Sequence, residues 1–139
     1  MPIGFIGLGN LGQAICKRLS DVGEILVVYN RNKEKIKDLP YEKADTPRDV
    51  LLKCDIVFMC LFDSNAVSHI LSGENGLLGE IIEGKTIIDL TTNHYEDVLK
   101  FHDAVNSMNG NYLENPVFGS VAPALKGELT VVSSGKTEV

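Results

Sequence analysis

Three glycines near the start of the chain constrain its fold more than any other feature. Gly7, Gly9 and Gly12 have the spacing G-x-G-x-x-G and directly follow an apolar run at residues 3–6. A helical pattern begins at Leu11, from which apolar residues recur at i, i+3, i+4 and i+8. A strand, a glycine-rich turn and a helix in this order are typical of a site that binds the phosphates of a dinucleotide.

Each glycine has a separate role in such a turn. Gly7 would permit the tight turn, Gly9 the close approach of a pyrophosphate, and Gly12 the close packing of the helix on the strand. The N–H groups of Asn10, Leu11 and Gly12 would face the anion at the positive end of the helix dipole. The sequence therefore predicts a phosphate-binding cradle at these five residues. The alternative is a glycine-rich turn that serves packing alone.

Apolar, strand-like runs alternate with helical patterns along nearly the whole chain. The predicted strands are residues 3–6, 25–29, 41–44, 55–61, 86–90, 112–113 and 129–132. The predicted helices are a first one ending at Gly23, then residues 33–39, 47–53, 64–71, 77–82 and 93–108. Unbroken apolar strands between helices indicate βαβ units and a mostly parallel sheet. We therefore expect a doubly wound α/β fold of the Rossmann type, with helices on both faces, in one domain over residues 1–139.

Composition and charge narrow the classes of partner. The 139 residues carry 13 basic and 19 acidic side chains, a formal net charge of −6. An acidic chain without a basic run is a poor ligand for nucleic acid or an anionic membrane, and no apolar run reaches the ~18 residues that span a bilayer.

Cys16, Cys54 and Cys60 form no C-x-x-C pair. We therefore expect buried free thiols in a cytoplasmic protein without a signal peptide.

Asn30 and Arg31 follow the second predicted strand, where a dinucleotide fold places its ribose-reading residue. Asp or Glu there accepts hydrogen bonds from the ribose 2′-hydroxyl of NAD and would repel a 2′-phosphate. Here the residue is neutral, and a guanidinium, which binds phosphate in a fork geometry, comes next. Lys33 adds positive charge, so the sequence predicts a preference for NADP. The alternative is that Asn30 caps the next helix and Arg31 is solvated, which leaves the cofactor undecided.

Two further strand ends are candidates for cofactor contacts, because ligands bind beyond the carboxyl ends of parallel strands. After the strand at residues 55–61, the loop is expected to pass over the adenosine and ribose of the cofactor, where Leu61 and Phe62 offer backbone groups, and Asn65 lies in the same loop. After the strand at residues 86–90, the hydroxyl of Thr92 is a candidate contact for the nicotinamide ribose.

Ordinary structural roles compete with ligand binding for the polar residues of these loops. Ser64 is a candidate N-cap of the helix at residues 64–71, and Thr92 or Asn93 is a candidate N-cap of the helix that follows. The three histidines are scattered and show no metal-ligand spacing, so no metal site is predicted. His94 is the histidine of interest, because it follows Thr92 at the mouth of the predicted site.

Three of these segments together resemble the β-hydroxyacid dehydrogenase family, which includes 3-hydroxyisobutyrate dehydrogenase, glyoxylate/succinic semialdehyde reductase and 6-phosphogluconate dehydrogenase. Residues 4–12, GFIGLGNLG, look like the family's GFIGLGxMG. Residues 28–31, VYNR, are similar to the same motif in its NADP-using members, and residues 89–92, DLTT, look like its D-M-S-T. The resemblance implies hydride transfer between NADP and a small carboxylate substrate, a short β-hydroxyacid or its semialdehyde or ketone.

A late segment carries the most specific match. Residues 114–120, ENPVFGS, with the alanines and glycines that follow, resemble the family's D-A-P-V-S-G-G/S-x-x-x-A-x-x-G-x-L. In the family this segment lines the substrate carboxylate site, which implies that Gly119 and Ser120 contact the substrate through backbone N–H groups and a hydroxyl. Phe118 stands where the family often has serine, so one polar anchor is absent, and Ser120 is a candidate replacement.

The catalytic lysine of the family would lie beyond Val139, on the helix that leads to an all-helical second domain. Lys126 and Lys136 do not match its motif position, so the resemblance implies no catalytic residue within this chain. We expect residues 1–139 to bind NADP(H) with little turnover alone, and homo-oligomers to form through the second domain. Two alternatives remain open: an imine reductase of the pyrroline-5-carboxylate reductase type, and a non-catalytic NADP-binding module.

Overall fold

Six parallel strands form the central sheet of the computed structural model, which describes residues 1–136. The boundary of the predicted domain at Val139 lies outside the described residues. The strands are β1 (Ile3–Ile6), β2 (Leu26–Tyr29), β3 (Glu42–Lys43), β4 (Ile56–Met59), β5 (Thr86–Asp89), β6 (Asn111–Glu114), β7 (Val117–Phe118) and β8 (Thr130–Val131). The helices are α1 (Asn10–Asp21), α2 (Pro47–Lys53), α3 (Ser64–Ser72), α4 (Tyr95–Asn106) and α5 (Val121–Lys126).

The order of the main sheet, β3-β2-β1-β4-β5-β6, confirms the predicted doubly wound α/β fold. The strand order reverses between β1 and β4, and doubly wound sheets bind their ligands at such a switch point, beyond the carboxyl ends of the strands. The fold therefore places the glycine-rich turn after β1 at the expected ligand-binding position.

Both faces of this sheet are buried. Successive strand residues face opposite sides and therefore contribute to two separate cores. Val27 belongs to a core cluster built with α2, α3 and α4, whereas its neighbours Leu26 and Val28 belong to a second cluster with Cys16 of α1. Strands covered on both faces need apolar residues at every position, which is why they appear as unbroken apolar runs in the sequence. None of the helices in residues 1–136 combines the length and apolar character that crossing a bilayer requires.

Helix α2 begins where its local sequence predicts. Pro47 is its first residue, and Thr46 Oγ1 accepts a hydrogen bond from the Asp49 N–H at 3.2 Å. The Asp49 carboxylate in turn accepts from the Thr46 N–H at 2.9 Å, which completes a capping box.

Two other predicted helices are wrong. Residues 33–39 form only a 3₁₀ turn at Lys33–Lys35, and residues 77–82 form only one at Leu77–Gly79. The first segment is short and mostly charged, and Pro40 follows it, so it lacks the apolar face that stabilises a longer helix against the sheet.

The predicted strand at residues 129–132 lies outside the main sheet. It contains β8, which pairs antiparallel with β7. The sequence does not predict β7 or α5, because two and six residues are too few to show a clear periodicity. Helix α5 packs against α1, so the chain after β6 returns to the helix that follows the glycine-rich turn.

The three cysteines are free thiols and should react slowly with alkylating reagents in the native chain. Burial raises the pKa of Cys16 to about 12, and those of Cys54 and Cys60 to about 11. Because the thiolate is the reacting form, we expect iodoacetamide at neutral pH to modify them about 100-fold more slowly than in guanidinium chloride, where mass spectrometry should find three adducts. Rapid modification of Cys60, which is partly exposed, would contradict this expectation.

Candidate functional site

The glycine-rich turn leads from β1 into α1 at the carboxyl edge of the sheet, and its first and last glycines are required by the fold. Gly7 has a φ of +95°, and a Cβ there would overlap the carbonyl oxygen of Cys60. A Cβ at Gly12 would overlap the carbonyl oxygen of Gly7. These two positions match the tight turn and the close packing that the sequence predicts.

Gly9 differs because nothing in the protein requires a glycine there. Its φ of −70° and ψ of −170° are open to any residue, and a Cβ would meet no atom within 4 Å. The first backbone bond of α1 runs from the Gln13 N–H to the Gly9 carbonyl oxygen at 2.9 Å, so the N–H groups of Asn10, Leu11 and Gly12 have no intrahelical partner. The first turn carries no acidic side chain. Open space beside free N–H groups fits an anion such as a pyrophosphate.

Two side chains hold the glycine-rich turn through Leu8. Asn30 Oδ1 accepts a hydrogen bond from the Leu8 N–H at 2.9 Å, and Gln13 Nε2 donates to the Leu8 carbonyl oxygen at 3.1 Å. Asn30 Nδ2 donates to the carbonyl oxygen of Asn32 at 2.7 Å. The following 3₁₀ turn is capped by Asn32, so the interpretation of Asn30 as that cap is wrong. Asn30 instead fixes the end of β2 to the turn after β1.

Arg31 and Lys33 lie beyond β2 with exposed side chains. Lys33 Nζ pairs with Asp45 Oδ1 at 2.7 Å, and this hydrogen bond raises the pKa of the lysine and lowers that of the carboxyl. Within residues 1–136 Arg31 forms no ion pair. Arg31 is therefore better placed than Lys33 to bind a further anionic group.

The loop after β4 contains the next three candidate residues. The Leu61 N–H donates to Thr91 Oγ1 at 3.0 Å, which fixes this loop to the loop after β5. The Phe62 side chain is 94% exposed, and Asn65 is exposed in the first turn of α3. All three lie on the edge of the sheet that carries the glycine-rich turn.

Helix capping does not explain Ser64, Thr92 or Asn93. Asp63, and not Ser64, is the N-cap of α3, and its carboxylate accepts a backbone hydrogen bond at 2.9 Å. The N-cap of α4 is His94, whose side chain makes no capping bond, so the capping interpretation of Thr92 and Asn93 is wrong.

The loop after β5 is held by a buried carboxylate that the sequence interpretation missed. Asp89 is 0% exposed and accepts hydrogen bonds from the Thr91 N–H at 2.9 Å, Asn93 Nδ2 at 2.9 Å and the Tyr112 hydroxyl at 2.7 Å. Burial raises the pKa of Asp89, and the hydrogen bonds from Tyr112, Thr91 and Asn93 oppose this effect. Thr92, the predicted contact, lies exposed in the loop that Asp89 holds.

The predicted substrate residues lie after β7, beside α1. Gly119 has a φ of +139°, a conformation that other residues rarely adopt, so the backbone favours glycine here; a Cβ would lie 2.6 Å from Cδ2 at the flexible end of the Leu129 side chain. Ser120 is the N-cap of α5, and its side chain makes no capping bond. Phe118 is 60% exposed. A cavity of about 580 Å³, lined by both α1 and α5, includes Asn10 of the glycine-rich turn.

Metal ligands do not cluster anywhere in residues 1–136. No three or more His, Cys, Asp or Glu side chains of this part of the chain are close enough to hold a metal ion. The groups that the site offers to an anionic ligand are backbone N–H groups, amides, hydroxyls and Arg31.

Comparisons with known proteins agree with this geometry. The family model for the NAD binding domain of 6-phosphogluconate dehydrogenase matches residues 2–139. Glyoxylate/succinic semialdehyde reductase 1 of Arabidopsis thaliana is 34% identical over 97% of this chain and 48% of its own length. The uncharacterized oxidoreductase YfjR of Bacillus subtilis is 38% identical, over 99% of this chain and 49% of its own length. The chain thus spans about half the length of these curated relatives.

Solved structures share the fold over nearly the whole chain. Psf3 in complex with NADP+ and 2-OPP has a TM-score of 0.91 at 35% identity, covering 98% of this chain and 49% of that one. Imine Reductase from Pseudomonas sp. has a TM-score of 0.90 at 21% identity, covering 99% and 48%, which shows the fold alone. By the family match and these relatives, this chain belongs to the 6-phosphogluconate dehydrogenase and 3-hydroxyisobutyrate dehydrogenase family, as its NAD(P)-binding domain.

Proposed function

We propose that this domain binds NADP(H) in an oxidoreductase that interconverts a short β-hydroxyacid and its semialdehyde or ketone. Gly9 carries the proposal, because neither its backbone conformation nor its packing requires a glycine, whereas a phosphate approaching α1 does. The Arabidopsis relative is a reductase, and the Psf3 structure contains NADP+. When bound, NADPH supplies the hydride, and this chain holds and orients the cofactor.

The proposed cofactor contacts lie at four strand ends on one edge of the sheet. Backbone N–H groups at the start of α1 take the pyrophosphate, the loop after β2 takes the adenosine ribose, and the loops after β4 and β5 take the rest of the cofactor. The proposed cofactor-binding residues are Gly7, Gly9, Asn10, Leu11, Gly12, Asn30, Arg31, Lys33, Leu61, Phe62, Asn65 and Thr92.

The preference for NADP over NAD rests on the charges beyond β2. Asn30 carries no charge that would repel a 2′-phosphate, and its side chain is occupied by Leu8 and Asn32. The guanidinium of Arg31 is exposed and offers paired donors to a phosphate. Lys33 contributes less, because Asp45 already neutralises its charge.

Arg31→Ala should weaken NADPH binding about 10- to 100-fold, the loss of charge-assisted hydrogen bonds to a phosphate. Titration followed by nicotinamide fluorescence measures the Kd, and 2′-AMP should displace NADPH better than 5′-AMP does. Lys35→Ala, a neighbouring exposed cation, is the matched control and should change the Kd less than about twofold. Equal displacement by the two nucleotides would refute the preference for NADP and leave dinucleotide binding intact.

The proposed substrate contacts are Gly119 and Ser120. The backbone N–H groups of both residues are donors that suit a carboxylate, and so is the Ser120 hydroxyl, which makes no capping hydrogen bond. Their support is the resemblance of residues 114–120 to the family's substrate segment, together with the packing of α5 beside α1. No residue of this chain is proposed as the proton donor.

A further inference from the structure

Asp89 is the centre of a hydrogen-bond network that joins three strand ends. Its carboxylate binds Tyr112 of β6 and, in its own loop, Thr91 and Asn93. The network continues to α3, because Ser64 Oγ donates to Asn93 Oδ1 at 3.1 Å.

Two further bonds fix the loop after β5 to the loop after β4. The Leu61 N–H donates to Thr91 Oγ1 at 3.0 Å, and the His94 N–H donates to Ser64 Oγ at 3.0 Å. Residues 91–94 are therefore held by hydrogen bonds to Asp89 of β5, to the loop after β4 and to the first turn of α3. Within this segment Thr92 and His94 are exposed, whereas Thr91 is only 2% exposed.

Packing alone does not account for a buried carboxylate at this position. Burying a charge is costly, and within residues 1–136 no cation pairs with Asp89. Three neutral donors surround it instead, so the carboxylate holds the Thr91 N–H, the Asn93 amide and the Tyr112 hydroxyl in place. Departures of this kind from the apolar pattern of a core are expected at functional sites.

The ordered loop lies on the far side of the glycine-rich turn from Arg31. In the sheet order, β2 flanks β1 on one side, and β4 and then β5 follow on the other. A dinucleotide with its pyrophosphate at β1 and its adenosine at β2 must extend its other half over β4 and β5.

We propose that Asp89 is a positioning residue for the nicotinamide half of the cofactor. With Tyr112 and Thr91 it holds the loop after β5 so that Thr92 contacts that half. This inference rests on the proposed binding of NADP(H), and it assigns to Asp89 and Tyr112 a role in binding one half of the molecule and not the other.

Tyr112→Phe tests the proposal, because it removes only the hydroxyl that donates to Asp89. The Kd for NADP+ should rise about fivefold or more, from the loss of a hydrogen bond to a charged group, whereas the Kd for adenosine 2′,5′-bisphosphate should change less than about twofold. A purely structural role would not separate the two ligands. Tyr41→Phe, a tyrosine in the segment before β3, is the matched control and should change neither Kd.

A second pair of variants covers the case in which Tyr112→Phe fails to fold. Thr91→Val removes the acceptor of the Leu61 N–H and should weaken NADP+ binding alone, and Thr91→Ser, which keeps the hydroxyl, should restore it. Equal weakening of both ligands, or no change in either, with wild-type thermal unfolding, would overturn the proposal. Failure of the unmodified chain to bind either ligand would instead refute the proposed function itself.

Discussion

Replacing Gly9 with alanine should weaken NADPH binding by about 100-fold or more while the domain stays folded, because the added methyl group would fill the space through which a phosphate reaches α1. The free protein has room for it, since a Cβ at Gly9 meets no atom within 4 Å and the backbone there is extended. Fluorescence titration with NADPH gives the Kd. Thermal unfolding should show a loss of about 1 kcal/mol or less, the difference between glycine and alanine as an N-cap.

Gly23→Ala is the control with the opposite pattern. Gly23 also has open space around it, but its φ is +96°, a conformation that alanine adopts only with strain. This variant should lose about 1 kcal/mol or more of stability and keep the wild-type Kd, since Gly23 follows the far end of α1. Wild-type affinity in Gly9→Ala would contradict the phosphate cradle and favour a turn that serves packing alone.

The sheet and the glycine-rich turn could be predicted because their signals are local and strong. A strand buried on both faces is mostly apolar, so β1, β2 and β4 each appear as an unbroken apolar run, and β5 does so only at its two central residues, Ile87 and Ile88. The glycine spacing is equally local, and the fold requires Gly7 and Gly12 for the reasons that the motif implies. These elements indicate a dinucleotide-binding fold and the edge of the sheet on which the candidate site lies.

The contacts that organise the candidate site could not be predicted, because they join residues far apart in the sequence. Asn30 binds Leu8 across 22 positions, and Tyr112 binds Asp89 across 23. Asp89 itself stands in an apolar strand, where its carboxylate gives no sequence signal of the donors that surround it. Which side chains meet at the ends of parallel strands depends on sheet order and register, and neither follows from local pattern.

The N-cap of α3 could not be predicted either, because two adjacent residues are both suitable caps. Asp63 and Ser64 are adjacent and both are good N-caps, and the structure uses Asp63 for the cap. Ser64 is thereby left in the first turn of α3, where it bonds to Asn93. Asn93 lies 29 positions from Ser64, so the local sequence gives no signal of this contact.

Gly12→Ala should destabilise the domain by about 3 kcal/mol, at the upper end of the cost of overpacking, because the new methyl group would overlap backbone rather than a flexible side chain. The obstructing atom is the carbonyl oxygen of Gly7, whose own Cβ position is blocked by the carbonyl of Cys60. Relief of the overlap would require backbone movement, either of the turn at Gly7 or of the start of α1. For a domain of 139 residues the melting temperature should fall by about 10 °C.

The comparison with Gly9→Ala separates the two roles of the turn. Alanine favours a helix over glycine by about 1 kcal/mol, so helix propensity alone would stabilise Gly12→Ala. A loss of stability in this variant must therefore come from the steric overlap. Gly12→Ala should lower stability and affinity together, since α1 must move for the variant to fold, whereas Gly9→Ala should lower affinity with a stability loss of about 1 kcal/mol or less. A Gly12→Ala domain with wild-type melting temperature would show that α1 shifts freely on β1, and α1 could then no longer serve as a rigid support for a phosphate.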